Sequence, residues 1–119
     1  MEKTITIDGA AVPFKATAST PRRYRAVFGR DMLKDMNHLQ EVAKKEESLS
    51  SESLEIFENI AYIMAKQANP DIPATADDWL DTFSMFSIYE VLPQIIELWK
   101  VENLTTVEAK KKVVKQSGR

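Results

Sequence analysis

The densest apolar pattern in the chain lies at Leu54 to Ala68, LEIFENIAYIMAKQA. On a helix at about 100° per residue, Leu54, Phe57, Ala61, Met64, Ala65 and Ala68 form one stripe, and Ile56, Ile60 and Ile63 form a second beside it. Glu55, Asn59, Tyr62 and Lys66 fall on the opposite side. The combined arc is roughly 200° wide, about twice what a helix lying on a surface needs. Such a helix has to be covered by more than one neighbour, which makes it the hub of a small helical domain. If that domain covers both stripes, the helix is core, and this is the preferred reading. A part-exposed Ile56–Ile60–Ile63 stripe would instead be a surface for a client or a second copy.

The pattern before the hub predicts a hairpin and one helix. Thr4-Ile5-Thr6-Ile7 alternates polar and apolar, Asp8-Gly9 is a turn signal, and Val12-Pro13-Phe14-Lys15 resumes the extended pattern. Residues 4–15 therefore read as a β-hairpin, with Pro13 marking an edge strand. Two strands alone are marginal, so the ribbon must lean on helices or pair with another chain. Thr20 is a candidate N-cap and Pro21 suits the first helical position. An apolar stripe then runs through Tyr24, Val27, Phe28, Met32, Leu33, Met36 and Leu39, with Gly29 inside it. It predicts a single first helix from Thr20 to Leu39, followed by a polar, mobile connection around 44–51.

After the hub, capped by Ser50, Ser51 or Ser53, Asn69-Pro70 stops the helix and Asn69-Pro-Asp-Ile-Pro73 forms a rigid turn with Ile72 tucked inwards. Thr75 caps a short third helix with Asp77 and Asp78 in its first turn and Trp79, Leu80, Phe83 and Phe86 on its apolar side. Ser87-Ile-Tyr-Glu90 reads as a capping box for a fourth helix whose buried face is Val91, Leu92, Ile95, Ile96 and Trp99. Pro93 requires either a kink or a regular helix that begins only near Leu92. That helix should end around Glu102-Asn103. The fold class is thus mainly α: a small bundle of about four helices with an N-terminal β-hairpin. Residues 1–103 form one domain, and 104–119 form a polar, lysine-rich tail, expected as a frayed helix or a disordered segment.

Length and composition change this picture little. A chain of 119 residues can bury one core, and 44% apolar with 29% charged residues is ordinary for a soluble domain. Cysteine is absent, which removes disulfides and thiolate metal sites and suits a reducing compartment. No apolar run reaches the ~18 residues of a membrane span, the N-terminus lacks a signal-peptide layout, and the expected location is cytosolic. Charge is more informative. Residues 1–45 carry nine Lys/Arg against five Asp/Glu, residues 46–107 two against twelve, and residues 108–119 five against one. An acidic middle between basic ends can neutralise itself within one fold, or steer one copy or another partner onto it. Arg22, Arg23 and Arg25 sit at the positive end of a helix macrodipole, where each is unfavourable by roughly 0.3–1 kcal/mol. A nearby acidic group is expected, first of all in the chain's own acidic middle, then on an anionic protein partner. Net acidity and the lack of interleaved aromatics disfavour nucleic acid.

Catalytic chemistry is not legible. His38 is the sole histidine, and no G-x-S-x-G, phosphate loop or H-E-x-x-H is present. Asp71, Asp77, Asp78 and Asp81 do not follow a calcium-loop spacing, and capping explains two of them. No enzyme activity, cofactor or metal is expected.

The segments KATASTPRRYRAVFGRDMLKDM (15–36) and ENIAYIMAKQANPDIPATADDWLDTFSMFSIYEVLPQIIELW (58–99), after a short strand pair and before a lysine-rich end, carry a likeness. Over roughly residues 1–100 the chain resembles the tail assembly chaperones of long-tailed phages and prophages of Gram-positive bacteria. The most specific parts are TPRRYRAVFGRDM, AYIMAKQANP, WLDTF and YEVLPQIIELW. The resemblance implies a small, mainly helical, non-enzymatic protein of the host cytoplasm, absent from the finished particle. It would coat the helical, apolar tape measure protein and bring major tail protein to the growing tube. It also implies a longer companion made by frameshifting, for which Lys110-Lys111-Lys112 could be an A-rich slippery run, although a solvated basic tail explains those lysines equally well. Candidate contact residues are Arg22, Arg23, Arg25, Ile56, Ile60, Ile63, Trp79, Phe83 and Phe86. Met32, Met36, Met64 and Met85 could add adaptable apolar surface, though such residues are more often core. The charge pattern suits weak head-to-tail self-association. A DNA-binding regulator using the first helix, or a structural tail or head completion protein, are the alternatives.

Overall fold

The hairpin forms as the alternation requires. In the computed structural model, which describes residues 1–45 and 50–97, β1 (Glu2–Ile7) pairs antiparallel with β2 (Ala10–Lys15), Ile7 opposite Ala10 and Glu2 opposite Lys15. Asp8 and Gly9 both take positive φ, 53° and 77°, giving the two-residue turn whose twist matches the strands. Met1 and Ala16 extend the ladder by exchanging backbone bonds of 2.9 and 2.8 Å. Counting the alternation back from Ile7–Ala10 leaves the nitrogen of Pro13 pointing away from β1, so its missing donor costs no ladder bond. Ile5, Ile7 and Phe14 point into the core.

The predicted first helix is two helices, which corrects the unbroken reading from Thr20 to Leu39. α1 (Thr20–Phe28) ends in Gly29 at φ 67°, whose N–H donates to the Arg25 carbonyl at 2.8 Å. α2 (Met32–Lys44) begins where the Asp31 carboxylate accepts from the backbone N–H groups of Leu33 (2.9 Å) and Lys34 (3.2 Å). A left-handed glycine followed by an Asp N-cap turns the chain within three residues. The break is hidden because Tyr24, Phe28, Met32 and Met36 keep a spacing of four through the corner. Val27 and Leu33, assigned to the same stripe, are exposed instead. The N-cap also shifts by one residue. Ser19 occupies that position without a side-chain cap, and the Thr20 hydroxyl accepts from the Thr17 N–H (2.8 Å) and donates to Gln67 Oε1 (2.6 Å), tying α1 to the far end of the hub.

The hub is α3 (Ser51–Ala68). Of the three serines considered, Ser50 is the cap, its hydroxyl accepting from the Ser53 N–H at 3.1 Å. The helix stops at Asn69, before Pro70. Both apolar stripes are covered: Ile56, Phe57, Ile60, Ala61, Ile63, Met64 and Ala65 are buried. The neighbours are more numerous than the pattern indicated. β2 is the principal one, joined by α1, α2 and α4. Tyr62, read as part of the polar side, is buried as well. Its hydroxyl donates to the Pro73 carbonyl at 2.7 Å, while Lys66 Nζ donates to the Pro70 and Ile72 carbonyls at 2.7 and 2.8 Å. The turn 69–73 thus folds back over that side, with Ile72 half-buried against the core.

α4 (Ala76–Leu80) is capped by Thr75, whose hydroxyl accepts from the Asp78 N–H at 3.1 Å. Trp79 is buried at the meeting of three elements, with ring centroids 6.5 Å from Phe14, 5.8 Å from Tyr62 and 5.1 Å from Phe83. The capping box expected at Ser87 does not form. Ser87–Val91 is a 3₁₀ turn without a side-chain cap, and regular helix starts at residue 92, one residue before Pro93. Proline at that point needs no donor. Val91, Ile95 and Ile96 are buried, and the Tyr89 hydroxyl donates to Glu58 of α3 at 2.9 Å. The described residues are mainly helical with an N-terminal antiparallel hairpin. Part of the 44–51 connection, Trp99, the helix end near Glu102, the 104–119 tail and Lys110–Lys112 lie outside them.

Candidate functional site

Among the described residues, the arginines of α1 form no ion pair with the acidic middle. Arg22, Arg23 and Arg25 are exposed, and among the described residues the ion pairs are Arg30–Asp35 and Lys15–Glu2. Arg23 Nε donates to the Ser19 hydroxyl at 3.1 Å. The expectation of an intramolecular carboxylate beside these three is therefore corrected for the described residues. They remain a cationic helix face with Val27 exposed among them.

The apolar candidates divide sharply. Ile56, Ile60, Ile63 and Trp79 are at most 5% exposed, so they hold the core and offer a partner no surface in this fold. Phe83 is half-buried, edge-on to Trp79 at 88°. Phe86 alone of this set is fully on the surface, 71% exposed, and Met85 beside it is 78% exposed. Met32, Met36 and Met64 are core.

The Met85–Phe86 loop is fastened at both sides. The Asp8 carboxylate, at the hairpin turn, accepts from the Ser84 N–H (2.7 Å), the Ser84 hydroxyl (2.9 Å) and the Ser87 hydroxyl. Those bonds, from the Ser87 hydroxyl first and then from the Ser84 backbone and side chain, hold its carboxyl below the ordinary value. Asp8 was legible only as a turn residue, because its partners lie far along the chain. Its positive φ and carboxylate serve two purposes in one position: closing the hairpin and gripping the loop.

Other chemistry-bearing groups are used structurally. Asp35 is 5% exposed and accepts from the Tyr24 hydroxyl (2.7 Å) and from Arg30 Nε (2.8 Å) and Nη2 (2.9 Å). Burial alone would push this carboxyl up, but the bonds from Arg30 and Tyr24 and the charges of Arg30 and His38 outweigh it and hold the carboxyl low. Burial and the Asp35 bond push the Tyr24 hydroxyl well up. His38, read as a surface residue, does meet solvent, yet its Nε2 lies 2.7 Å from the Ser53 hydroxyl. Ser53 is 1% exposed and shares its hydroxyl with the Ser50 cap. The pair therefore closes the start of α3. A cleft of about 80 Å³ lined by Arg30, Glu52, Glu55, Ile56 and Asn59 reaches neither residue. Among the described residues no helix is long and apolar enough to cross a membrane.

Comparison of the chain with protein-family models, with curated proteins and with solved structures returns no match.

Proposed function

We propose that the chain is a tail assembly chaperone of a long-tailed phage or prophage of a Gram-positive bacterium. In this reading it binds the tape measure protein, recruits major tail protein in the host cytoplasm, and performs no catalysis. The observation that carries the reading is the sequence resemblance across 15–36 and 58–99. Two features of the fold support it. Asp35, His38 and Ser53 are committed to fixing helix ends and corners. The apolar side chains that reach solvent on the described surface lie where a partner protein can touch them, at Val27, Leu33, Met85 and Phe86.

The test is co-expression with the tape measure protein, which this reading expects to find encoded directly downstream. The chaperone reading expects that protein to stay soluble only with this chain present, the two to co-purify, and the chain to be missing from purified virions. A tape measure protein equally soluble without it, or the chain found in mature particles, counts against the reading; the latter favours a structural completion protein. Arg22, Arg23 and Arg25, which form no ion pair among the described residues, favour a second reading, a DNA-binding regulator. A low-salt mobility-shift assay separates the two: no shift with any duplex removes the regulator.

A further inference from the structure

Among the described residues, Met85 and Phe86 stand exposed on their loop. We propose that it docks an amphipathic helix of a partner protein whose apolar stripe is flanked by Lys and Arg. The proposal rests on the chaperone reading and names the surface through which a helical client would be held.

Three observations carry it. Met85 and Phe86 are adjacent and 78% and 71% exposed, more than Val27 and Leu33 at 60% and 50%. Single exposed apolar residues are ordinary, whereas an adjacent Met–Phe pair concentrates the residue types that dominate protein contacts. Secondly, the loop is held in place. Asp8 grips Ser84 and Ser87, the Ser87 N–H donates to the Ser84 carbonyl (3.2 Å), the Tyr89 N–H donates to the Phe86 carbonyl (3.2 Å), and Phe83 is anchored on Trp79. A fixed loop loses little freedom on binding, so more of the contact energy remains as affinity. Thirdly, the charged groups placed beside it are acidic: Asp8 is bonded to Ser84 and Ser87, and Asp81 and Glu90 flank the loop along the chain. Residues 67–97 contain no Lys or Arg, and Asp71, Asp77, Asp78, Asp81, Glu90 and Glu97 are all exposed. An exposed apolar pair beside carboxylates complements an apolar stripe flanked by cations. The loop's backbone groups are engaged in its own bonds, Ser84 N–H to Asp8, Ser87 N–H to the Ser84 carbonyl and Tyr89 N–H to the Phe86 carbonyl, which suits side-chain docking on a helix stripe rather than strand addition.

The experiment places a photo-crosslinker at the exposed pair, Phe86→p-benzoylphenylalanine, in the full chain. The probes are two peptides of about 20 residues, long enough to be helical, with Leu at heptad a and d positions and either Lys or Glu elsewhere. The expected result is saturable labelling of the Lys peptide and little of the Glu peptide. Phe86→Ser and Met85→Ser should each weaken Lys-peptide binding at least about tenfold with an unchanged melting midpoint. Equal labelling of both peptides, labelling of neither, a crosslink to a second copy, or a crosslink to residues 98–119 of the same chain each overturns the proposal. Its failure is separable from that of the chaperone reading. If Phe86→Ser and Met85→Ser chains solubilise the tape measure protein as well as the parent chain, the surface is wrong and the role stands. If the parent chain does not solubilise it, the role is wrong.

Discussion

Asp35 shows how a single side chain can be misjudged when only its type is visible. An acid in the first turn of α2 needs no partner beyond the helix end, yet Asp35 sits buried between Tyr24 and Arg30 and locks the α1–α2 corner. Replacing it by Ala would strand the Tyr24 hydroxyl and release Arg30. Because Arg30 is 45% exposed and screened by water, the cost should be about 2 kcal/mol rather than the larger penalty of a fully buried pair. Urea unfolding should show the midpoint falling with the slope unchanged. The folded carboxyl lies below its unfolded value near ~3.9. Its stabilisation is therefore complete above that value and is lost as pH falls through the folded one. The melting midpoint of the parent chain should drop below about pH 4, and Asp35→Asn should flatten that part of the curve. A parent and variant that lose stability in parallel would show that Asp35 contributes nothing to acid sensitivity.

Among the elements, the corner at Gly29–Asp31 is where pattern reading went wrong, and the reason is geometric. The buried positions keep their spacing of four across the break, so periodicity alone cannot see it, although Gly followed two residues later by Asp carries both a helix stop and a helix start. A Cβ on Gly29 would meet nothing within 4 Å, and φ is +67°. Gly29→Ala should therefore cost only the left-handed backbone penalty, about 1 kcal/mol, whereas a glycine in the middle of a helix would be stabilised by the same change. The sign of the shift in chemical denaturation decides between a corner and a continuous helix. The hairpin was easier. Asp8-Gly9 between alternating strands specifies its own turn, and nothing distant is needed to form it. Thr75 and Asn69-Pro70 behaved likewise, as local signals with local effects.

For the whole molecule, the contrast between the hub and the loop gives the clearest forecast. Ile60 is wholly buried at the centre of α3, so Ile60→Asp would bury an unpaired charge at a cost above about 4 kcal/mol, close to the entire stability of a small domain. It should leave no folded protein by circular dichroism. Phe86→Ser should change stability by no more than about 0.5 kcal/mol, and a large loss there would mean the ring is packed rather than displayed. The uneven charge has its own consequence. A cationic α1 face and an acidic 67–97 surface on one chain should draw copies together weakly, more so as salt is lowered. Sedimentation at low and high salt, across micromolar to millimolar concentration, checks this, and a monomer throughout speaks against it.

Sequence alone determined what depends on neighbours a few residues away: the hairpin and its turn, the hub helix with its two apolar stripes and a serine cap, the stop at Asn69, and the cap at Thr75. These follow from period, turn chemistry and the orphan groups at helix ends, all of which are local. Tertiary structure decided what depends on distance. It buried the Ile56–Ile60–Ile63 stripe in a helix packed by β2, α1, α2 and α4, buried Tyr62 under the proline turn, and left Arg22, Arg23 and Arg25 without a carboxylate among the described residues. It also brought Asp8 to Ser84 and Ser87. Which apolar residue becomes core and which becomes surface is set by where the chain folds back. A pattern of residue types fixes that an apolar face must be covered, and only the packed fold supplies the cover.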